Sequence, residues 1–149
     1  MTQPLPLTAL DRLLELVVLL NEDMTSGLAR DGLTPSRAHL LWELGSRGPS
    51  TQRVLAEALG VSARNITGLV DGLAATGFVT REAHPTDRRA TLVSFTEHGA
   101  DITARMADGQ QELATLLFGG MAPERLDCLV EGLTDVLERL RIRLAQDHG

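Results

Sequence analysis

Hydrophobic residues recur every three to four positions along most of the chain, the spacing that places them on one face of an α-helix. The first such stretch predicts a helix from a cap at Thr8 to about Arg30. A second helix is expected to open at Thr34-Pro35, because threonine caps a helix and proline is tolerated in its first turn. Its apolar face ends where glycine and proline appear, between positions 45 and 49.

Two shorter helices follow, joined by a tight connection. Ser50-Thr51 caps the third predicted helix, and Gly60 can take the left-handed conformation that ends it. Ser62 caps the fourth helix, which Gly77 ends and whose inward positions are all apolar: Ile66, Leu69, Val70 and Leu73. This arrangement is typical of a helix-turn-helix, the unit that lays its second helix in the major groove of DNA. The spacing alone is a weak signal, since many helical hairpins share it.

The hydrophobic period then changes to two residues, which indicates β-strands. Phe78 to Ala83 and Ala90 to Phe95 are predicted to pair, and the polar connection between them contains Pro85, as a hairpin tip should. A hairpin placed directly after a helix-turn-helix strengthens that interpretation, because such a β-wing can reach the adjacent minor groove or the phosphate backbone.

Two long helices complete the pattern, the fifth opening at Thr96 and the sixth at Pro123-Glu124. The predicted fold class is therefore mainly α with a small β-hairpin wing (α+β). Disorder is expected only at the two ends, from Met1 to Pro6 and from about Gln146 to Gly149.

The first, fifth and sixth helices carry wide leucine stripes that one small hairpin cannot cover. We expect a second copy of the chain to bury these stripes, which makes the protein a homodimer. Residues 1–33 and 97–149 are accordingly interpreted as dimerisation helices around a winged helix-turn-helix at 34–96. A monomeric helical bundle is the alternative.

The net charge of the chain bears on whether it can bind DNA. The 149 residues carry a net charge of −6, which at first argues against a nucleic-acid partner. Positions 47–98, however, hold six arginines against five acids, so this segment is about +1 and the flanks are about −7. A near-neutral region between acidic arms can still bind DNA if its arginines point in one direction.

Several function classes find no support in the sequence. The longest apolar run, Leu16 to Leu20, is far shorter than the roughly 20 residues that cross a bilayer, and no secretion signal is recognised. A single cysteine fits a reducing compartment, so a cytoplasmic location is expected. Neither a phosphate-binding loop nor a nucleophile motif is present, and the four histidines lack metal-ligand spacing. An enzyme, a metal site and a cofactor are therefore not predicted.

The outward face of the fourth helix supplies candidates for base recognition. At about 100° per residue, Arg64, Gly68 and Asp71 lie opposite the apolar side, with Asn65 and Thr67 on the flanks. Arginine pairs with guanine and asparagine with adenine, while a glycine lets DNA approach closely. The alternatives are a solvated arginine and a tolerated surface glycine.

Two further residues are candidates for phosphate contacts. Ser62, as a helix cap, leaves backbone N–H groups pointing forward at the start of the fourth helix. Arg53 on the preceding helix could reach the DNA backbone, although an ordinary surface charge is the alternative.

One longer segment carries a specific resemblance. Asp87, Arg89, the alternating strand to Phe95, Thr96 and Gly99 resemble the wing-to-helix signature of the MarR family of bacterial regulators. Upstream, two further segments match the same family in order and spacing: Leu59-Gly60-Val61-Ser62 and Gly77-Phe78-Val79-Thr80-Arg81. The match is dense from Thr51 to Gly99.

The resemblance implies a dimer with intertwined terminal helices that binds double-stranded DNA at an inverted-repeat operator, most commonly as a repressor. It implies that Arg89 enters the minor groove and that Asp87 holds this arginine in place. Arg88 would then favour phosphate. These expectations agree with the attraction of a guanidinium to the negative potential of a narrow groove.

The resemblance also implies release by a small-molecule effector, often an aromatic acid, bound between the reading and dimer regions. His39 and Trp42 are the candidates to line such a site, although plain packing of Trp42 and a surface position for His39 are the alternatives. Cys128 falls within the leucine stripe of the sixth helix, where burial as a small apolar residue is expected.

A second function remains to be compared with DNA binding: a winged-helix module that binds other proteins. Its expected mark is a set of neutral or acidic outward residues on the fourth helix and the wing. Arg64, Asn65, Arg88 and Arg89 favour DNA instead.

Overall fold

Every predicted helix and both predicted strands are present in residues 4–147, the part of the chain that the computed structural model describes. These residues form six helices and one small antiparallel sheet, which agrees with the predicted fold class. The elements are α1 Leu5–Arg30, α2 Pro35–Arg47, β1 Ser50–Thr51, α3 Gln52–Leu59, α4 Ala63–Ala75, β2 Val79–Ala83, β3 Thr91–Phe95, α5 Glu97–Phe118 and α6 Pro123–Asp147.

Side-chain caps fix the starts of the three central helices where the sequence predicts them. The hydroxyl groups of Thr34, Thr51 and Ser62 each accept a hydrogen bond from the backbone N–H three residues further on, at 3.1–3.3 Å. Each bond satisfies a donor that has no partner within its helix. Gly60 ends α3 with a φ of +67°, the left-handed conformation that glycine adopts without steric cost.

The predicted start of α1 is wrong by about one turn. The helix begins at Leu5, directly after Pro4, and the Thr8 hydroxyl donates to the Pro4 carbonyl instead of capping a helix. Proline suits the first turn because its fixed φ is helical, so Pro6 belongs to the helix and not to a disordered end. At the other end, α6 continues through Gln146 to Asp147. The rest of both predicted disordered ends lies outside the described residues.

The sheet has one strand more than the sequence predicts. β1 pairs with β3, and β3 pairs with β2, all antiparallel, so the order is β1-β3-β2. Ser50 lies opposite Val93 on one side of β3, and Arg81 lies opposite Val93 on the other. A two-residue strand such as β1 has no hydrophobic period of its own, which is why the pattern did not reveal it.

The chain divides into two compact units between Arg105 and Met106. In the first unit, side chains from α2, α3, α4 and β3 form a core that excludes solvent almost completely. Its largest fully buried members are Leu40, Leu41, Leu44, Leu55, Ile66, Val70, Leu73 and Val93. Burying a side chain of this size contributes about 1.5–3 kcal/mol, so this core holds α4 and the sheet in a fixed relation.

The long helices leave much of their apolar surface exposed. α6 has no buried residue, and Leu28 is the one buried residue of α1. The exposed apolar side chains include Leu14, Val17, Val18, Leu116, Leu137, Leu140 and Leu144. Cys128 is also exposed, so the predicted burial of this thiol is wrong for the single chain, because α6 turns its leucine stripe outward. No helix in residues 4–147 is both long and apolar enough to span a membrane.

Candidate nucleic-acid interface

The helix-turn-helix is built from α3, a turn at positions 60–62, and α4. The turn is tight because the Val61 N–H donates to the Ala56 carbonyl at 3.0 Å while Gly60 reverses the chain. Leu55 on α3 and Ile66 on α4 are both buried. The two helices therefore pack through apolar side chains and leave one long face of α4 to solvent.

That open face carries the residues predicted to recognise DNA bases. Arg64, Asn65, Thr67 and Gly68 are all exposed, which is the orientation that the helical period indicated. A methyl group at Gly68 would meet no atom within 4 Å, so the backbone of α4 is accessible at this point. Arg64 forms no ion pair with any described residue, and its guanidinium is free to bind an external acceptor.

Thr67 differs from its neighbours because its hydroxyl is already bonded. The Thr67 hydroxyl donates to the Ala63 carbonyl at 2.9 Å and accepts from the Gln52 amide at 3.1 Å. Its one proton is therefore committed within the protein. The geometry suits Thr67 to fixing α4 against α3 better than to donating to a base.

A polar network joins α4 to the wing, and the sequence did not reveal it. The Arg81 guanidinium on β2 donates to the Asp71 carboxylate on α4 at 2.6 Å. It also donates to the side-chain oxygen of Gln52 at 3.0 and 3.2 Å. Gln52 links this pair to Thr67, so three elements share one chain of hydrogen bonds. The sequence offered one signal for this network: an acid, Asp71, on the outward face of α4 and a base, Arg81, on the following strand.

The connection between β2 and β3 forms the tip of the wing, at positions 84–90. Asp87 was expected to hold the Arg89 side chain, but its carboxylate accepts from the Arg89 backbone N–H at 3.0 Å. An aspartate in a turn commonly accepts a hydrogen bond from the backbone N–H two residues further on. That N–H is close and fixed, whereas the guanidinium at the end of a long arginine side chain is mobile. Arg88 and Arg89 are both exposed and form no ion pair within residues 4–147.

A cleft of about 510 Å³ lies between the wing and the start of α3. Its lining combines two arginines with polar and small residues: Thr51, Gln52, Arg53, Arg81, Asp87, Ala90 and Thr91. Arg53 stands at its rim with 88% of its side chain exposed and lies 3.5 Å from Glu57 on the same helix. Such exposed pairs are weak, at about 0.3–0.5 kcal/mol, so Arg53 can exchange this partner for a phosphate.

The residues predicted to bind an effector lie on α2. His39 and Trp42 are three positions apart, which places them on neighbouring positions of one helical face. Trp42 is 39% exposed, and the His39 imidazole lies 3.9 Å from the Glu43 carboxylate. Neither residue lines the wing cleft. In the part of the chain described, no cluster of three or more His, Cys, Asp or Glu side chains could hold a metal ion.

Comparison with known proteins assigns this arrangement to a family. A profile of the MarR family matches residues 31–90, from just before α2 to the wing tip. An HTH-type transcriptional regulator of Mycobacterium leprae is 35% identical over 103 residues, which cover 69% of this chain and 72% of that protein. The chain belongs to the MarR family.

Other relatives agree with this assignment. The HTH-type transcriptional repressor YetL of Bacillus subtilis is 33% identical over 88 residues. That match spans 59% of this chain and 53% of YetL, so the chain covers about half the length of this relative. MarR-family proteins are transcriptional regulators, and membership confirms the prediction that the chain is not an enzyme.

Solved structures with the same fold extend over nearly the whole chain. AbsC, a MarR family transcriptional regulator from Streptomyces coelicolor, is 25% identical with a TM-score of 0.74, covering 95% of this chain and 97% of AbsC. FabT of Streptococcus pneumoniae, solved in complex with DNA, is 19% identical with a TM-score of 0.77. The superposition covers 90% of this chain and 94% of FabT, which establishes a shared fold.

The MarR signature at the end of the wing has a structural cause. The Thr96 hydroxyl accepts from the Gly99 N–H at 3.0 Å and donates to the Gly77 carbonyl at 2.5 Å. Gly99 packs so tightly on the Phe78 carbonyl that a methyl group there would overlap it. The threonine and glycine of the signature thus anchor α5 to the turn between α4 and β2.

Proposed function

We propose that this MarR-family protein is a transcriptional repressor that binds a palindromic operator in double-stranded DNA as a homodimer. The observation that carries the proposal is the set of exposed, unpaired arginines on α4 and the wing: Arg64, Arg88 and Arg89. They concentrate positive charge on the reading helix and wing of a chain with a net charge of −6. A DNA surface supplies the phosphates and base edges that such arginines bind.

Each candidate residue then has a distinct role. Arg64 and Asn65 on the open face of α4 read base edges in the major groove. Gly68 allows the helix backbone to approach the DNA closely, because no side chain stands there. The wing arginine Arg89 enters the minor groove, where the narrow groove strengthens the negative potential.

Phosphate contacts orient the protein without reading sequence. The start of α4, capped by Ser62, presents backbone N–H groups, and Arg53 stands at the rim of the wing cleft. Arg88 lies beside Arg89 at the wing tip, exposed, and contacts the DNA backbone there. Asp87 orders this tip through the Arg89 N–H.

Dimerisation through the long helices is supported by their exposed apolar side chains. Leu116 is 79% exposed, and Val17 and Val18 are more than 60% exposed. Surfaces of this kind are seldom left open to water, and a second copy would bury them. A two-fold dimer presents two α4 helices, so the operator has two inverted half-sites about 10 base pairs apart, centre to centre.

We further propose that a small aromatic acid releases the protein from DNA in the cytoplasm. The exposed indole of Trp42 offers a flat apolar surface, and the His39 imidazole on the same face offers a polar partner. This combination suits a planar ring that carries a carboxylate.

Selection from a random pool of duplexes tests the proposal without knowledge of the operator. The parent protein should enrich an inverted repeat, and Arg64→Ala should enrich a shorter or more degenerate motif. Arg47→Ala is a matched control, since it removes an exposed arginine on α2 that pairs with Glu43 at 3.0 Å. Failure of the parent to enrich any motif would favour the protein-interaction module instead.

A further inference from the structure

A histidine organises the tip of the wing. The Nδ1 atom of His84 accepts two hydrogen bonds, from the Thr86 backbone N–H at 3.2 Å and from the Asp87 backbone N–H at 3.1 Å. His84 is half-buried, whereas the five residues after it are exposed. His84 is thus less exposed than residues 85–89, and its imidazole is the acceptor around which the first part of the loop folds.

The remaining bonds of the loop continue from this point. The His84 N–H donates to the Ala90 carbonyl, and the Ala90 N–H donates to the Asp87 carbonyl, both at 3.2 Å. The Asp87 carboxylate accepts the Arg89 N–H at 3.0 Å. Five of the six backbone N–H groups from His84 to Ala90 therefore have an acceptor within the loop, with His84 holding the N–H of Asp87 and Asp87 holding the N–H of Arg89.

We infer that His84 is a positioning residue for DNA binding: its Nδ1 lone pair orders the loop that presents Arg88 and Arg89. This inference rests on the proposed function, in which the wing arginines contact DNA. An ordered loop holds the two side chains ready for the DNA, so less conformational freedom is lost on binding. Without the His84 imidazole, the backbone N–H groups of Thr86 and Asp87 lose their acceptor, and the loop samples many conformations.

The chemistry of imidazole makes the inference specific. A ring nitrogen that accepts two N–H groups carries no proton, so neutral His84 must hold its proton on Nε2. Asparagine is the matched replacement, because its side-chain oxygen stands at the same position along the side chain and caps N–H groups in turns. His84→Asn therefore retains the acceptor, and His84→Ala removes it.

The first experiment uses the free protein and requires no DNA. Long-range ¹H–¹⁵N NMR correlations in mildly alkaline buffer should show His84 protonated on Nε2, with Nδ1 unprotonated and hydrogen-bonded. Backbone ¹⁵N relaxation of residues 86–89 should show an ordered loop in the parent and in His84→Asn, and fast motion in His84→Ala. Protonation on Nδ1, or equal order in all three proteins, would overturn the inference.

The second experiment measures the consequence for binding, with the duplex that the parent enriches from a random pool. Arg89→Ala should lower the affinity of the parent and of His84→Asn by the same factor, about tenfold for a charge-assisted contact of ~1.4 kcal/mol. In the His84→Ala background the same change should cost about twofold or less. An equal Arg89→Ala effect in all three backgrounds would overturn the positioning role.

Two readouts separate this role from other failures. The melting temperature should be the same for the parent, His84→Asn and His84→Ala, because the tip lies outside the core. A large drop confined to His84→Ala would indicate a general structural role and would overturn the inference. A parent that enriches no duplex would overturn the proposed function and the role of the wing in it. The NMR signature of the cap would still be measurable in that case.

Discussion

The Arg81 guanidinium and the Asp71 carboxylate lie 2.6 Å apart and join the first wing strand to the reading helix. Arg81 also holds the side-chain oxygen of Gln52, the first residue of α3. The Arg81 side chain is 35% exposed and that of Asp71 is 62% exposed, so solvent screens the pair and its contribution to stability is small. Its consequence is local: it ties the side chains of Asp71 on α4 and Gln52 on α3 to the first wing strand.

Substitution of Arg81 should therefore affect DNA binding more than stability. We expect Arg81→Lys to lower the free energy of unfolding by less than about 1 kcal/mol, as is usual for an exposed pair. Affinity for the enriched duplex should fall about tenfold, since a lysine cannot bind Asp71 and Gln52 simultaneously through a planar fork. Thermal unfolding and fluorescence anisotropy measure the two effects, with Arg47→Ala as the control for loss of an exposed pair. A larger change in stability than in affinity would contradict this role.

Arg64 and Arg89 should differ in what their removal changes. Arg64→Ala should cost about 1–3 kcal/mol at one position of each half-site and relax the preference for that base. Arg89→Ala should weaken binding to most sequences alike, with an added loss for A·T-rich flanks. Competition between duplexes that differ at single positions measures both. Binding by the double variant that equals binding by the parent would place the DNA site elsewhere.

Two glycines provide a matched pair for stability. Gly99→Ala should destabilise the fold by about 1–3 kcal/mol, because the added methyl group overlaps the Phe78 carbonyl. Gly68→Ala should stabilise it by about 0.5–1 kcal/mol, because the position is open and helical. Gly68→Ala should nevertheless weaken DNA binding, since the methyl group occupies the close approach. Equal stability of the two variants in chemical denaturation would show that the contact at Gly99 is not tight.

The oligomeric state follows from the exposed leucines of α6. Light scattering should give twice the chain mass of 16.1 kDa at micromolar concentration. The double change Leu137→Asp and Leu140→Asp should shift the protein towards monomer, because both side chains are about half exposed in the single chain and apolar. An unchanged dimer in this variant would place the interface on another surface, and a monomeric parent would rule out the dimer altogether.

Local signals account for the parts of the fold that the sequence predicts. A cap such as Ser62 and a positive φ at Gly60 depend on neighbours within a few residues, so their effects can be deduced from spacing alone. The outward orientation of Arg64 follows from the period of the buried residues on the same helix. For these features, backbone geometry leaves few alternatives.

The features that the sequence did not predict depend on distant partners. Arg81 and Gln52 are 29 positions apart, and no local pattern relates them. β1 exists because β3 lies beside it, and Asp87 bonds a backbone group whose position depends on the folded loop. The start of α1 was missed for another reason: Thr8 resembles a cap, but its hydroxyl donates to the Pro4 carbonyl in a helix that has already begun.

The salt dependence of binding tests the central claim, sequence-specific recognition of DNA by α4 and the wing, most directly. Arg53, Arg64, Arg88 and Arg89 give eight arginines per dimer. If most of them displace counterions from the DNA, about six charges are neutralised, which gives a log–log slope of about −5. Fluorescence anisotropy with the enriched palindrome, one half-site and a scrambled duplex should show this slope and a clear preference for the palindrome. Equal affinity for the palindrome and the scrambled duplex, or a slope near zero, would contradict the account.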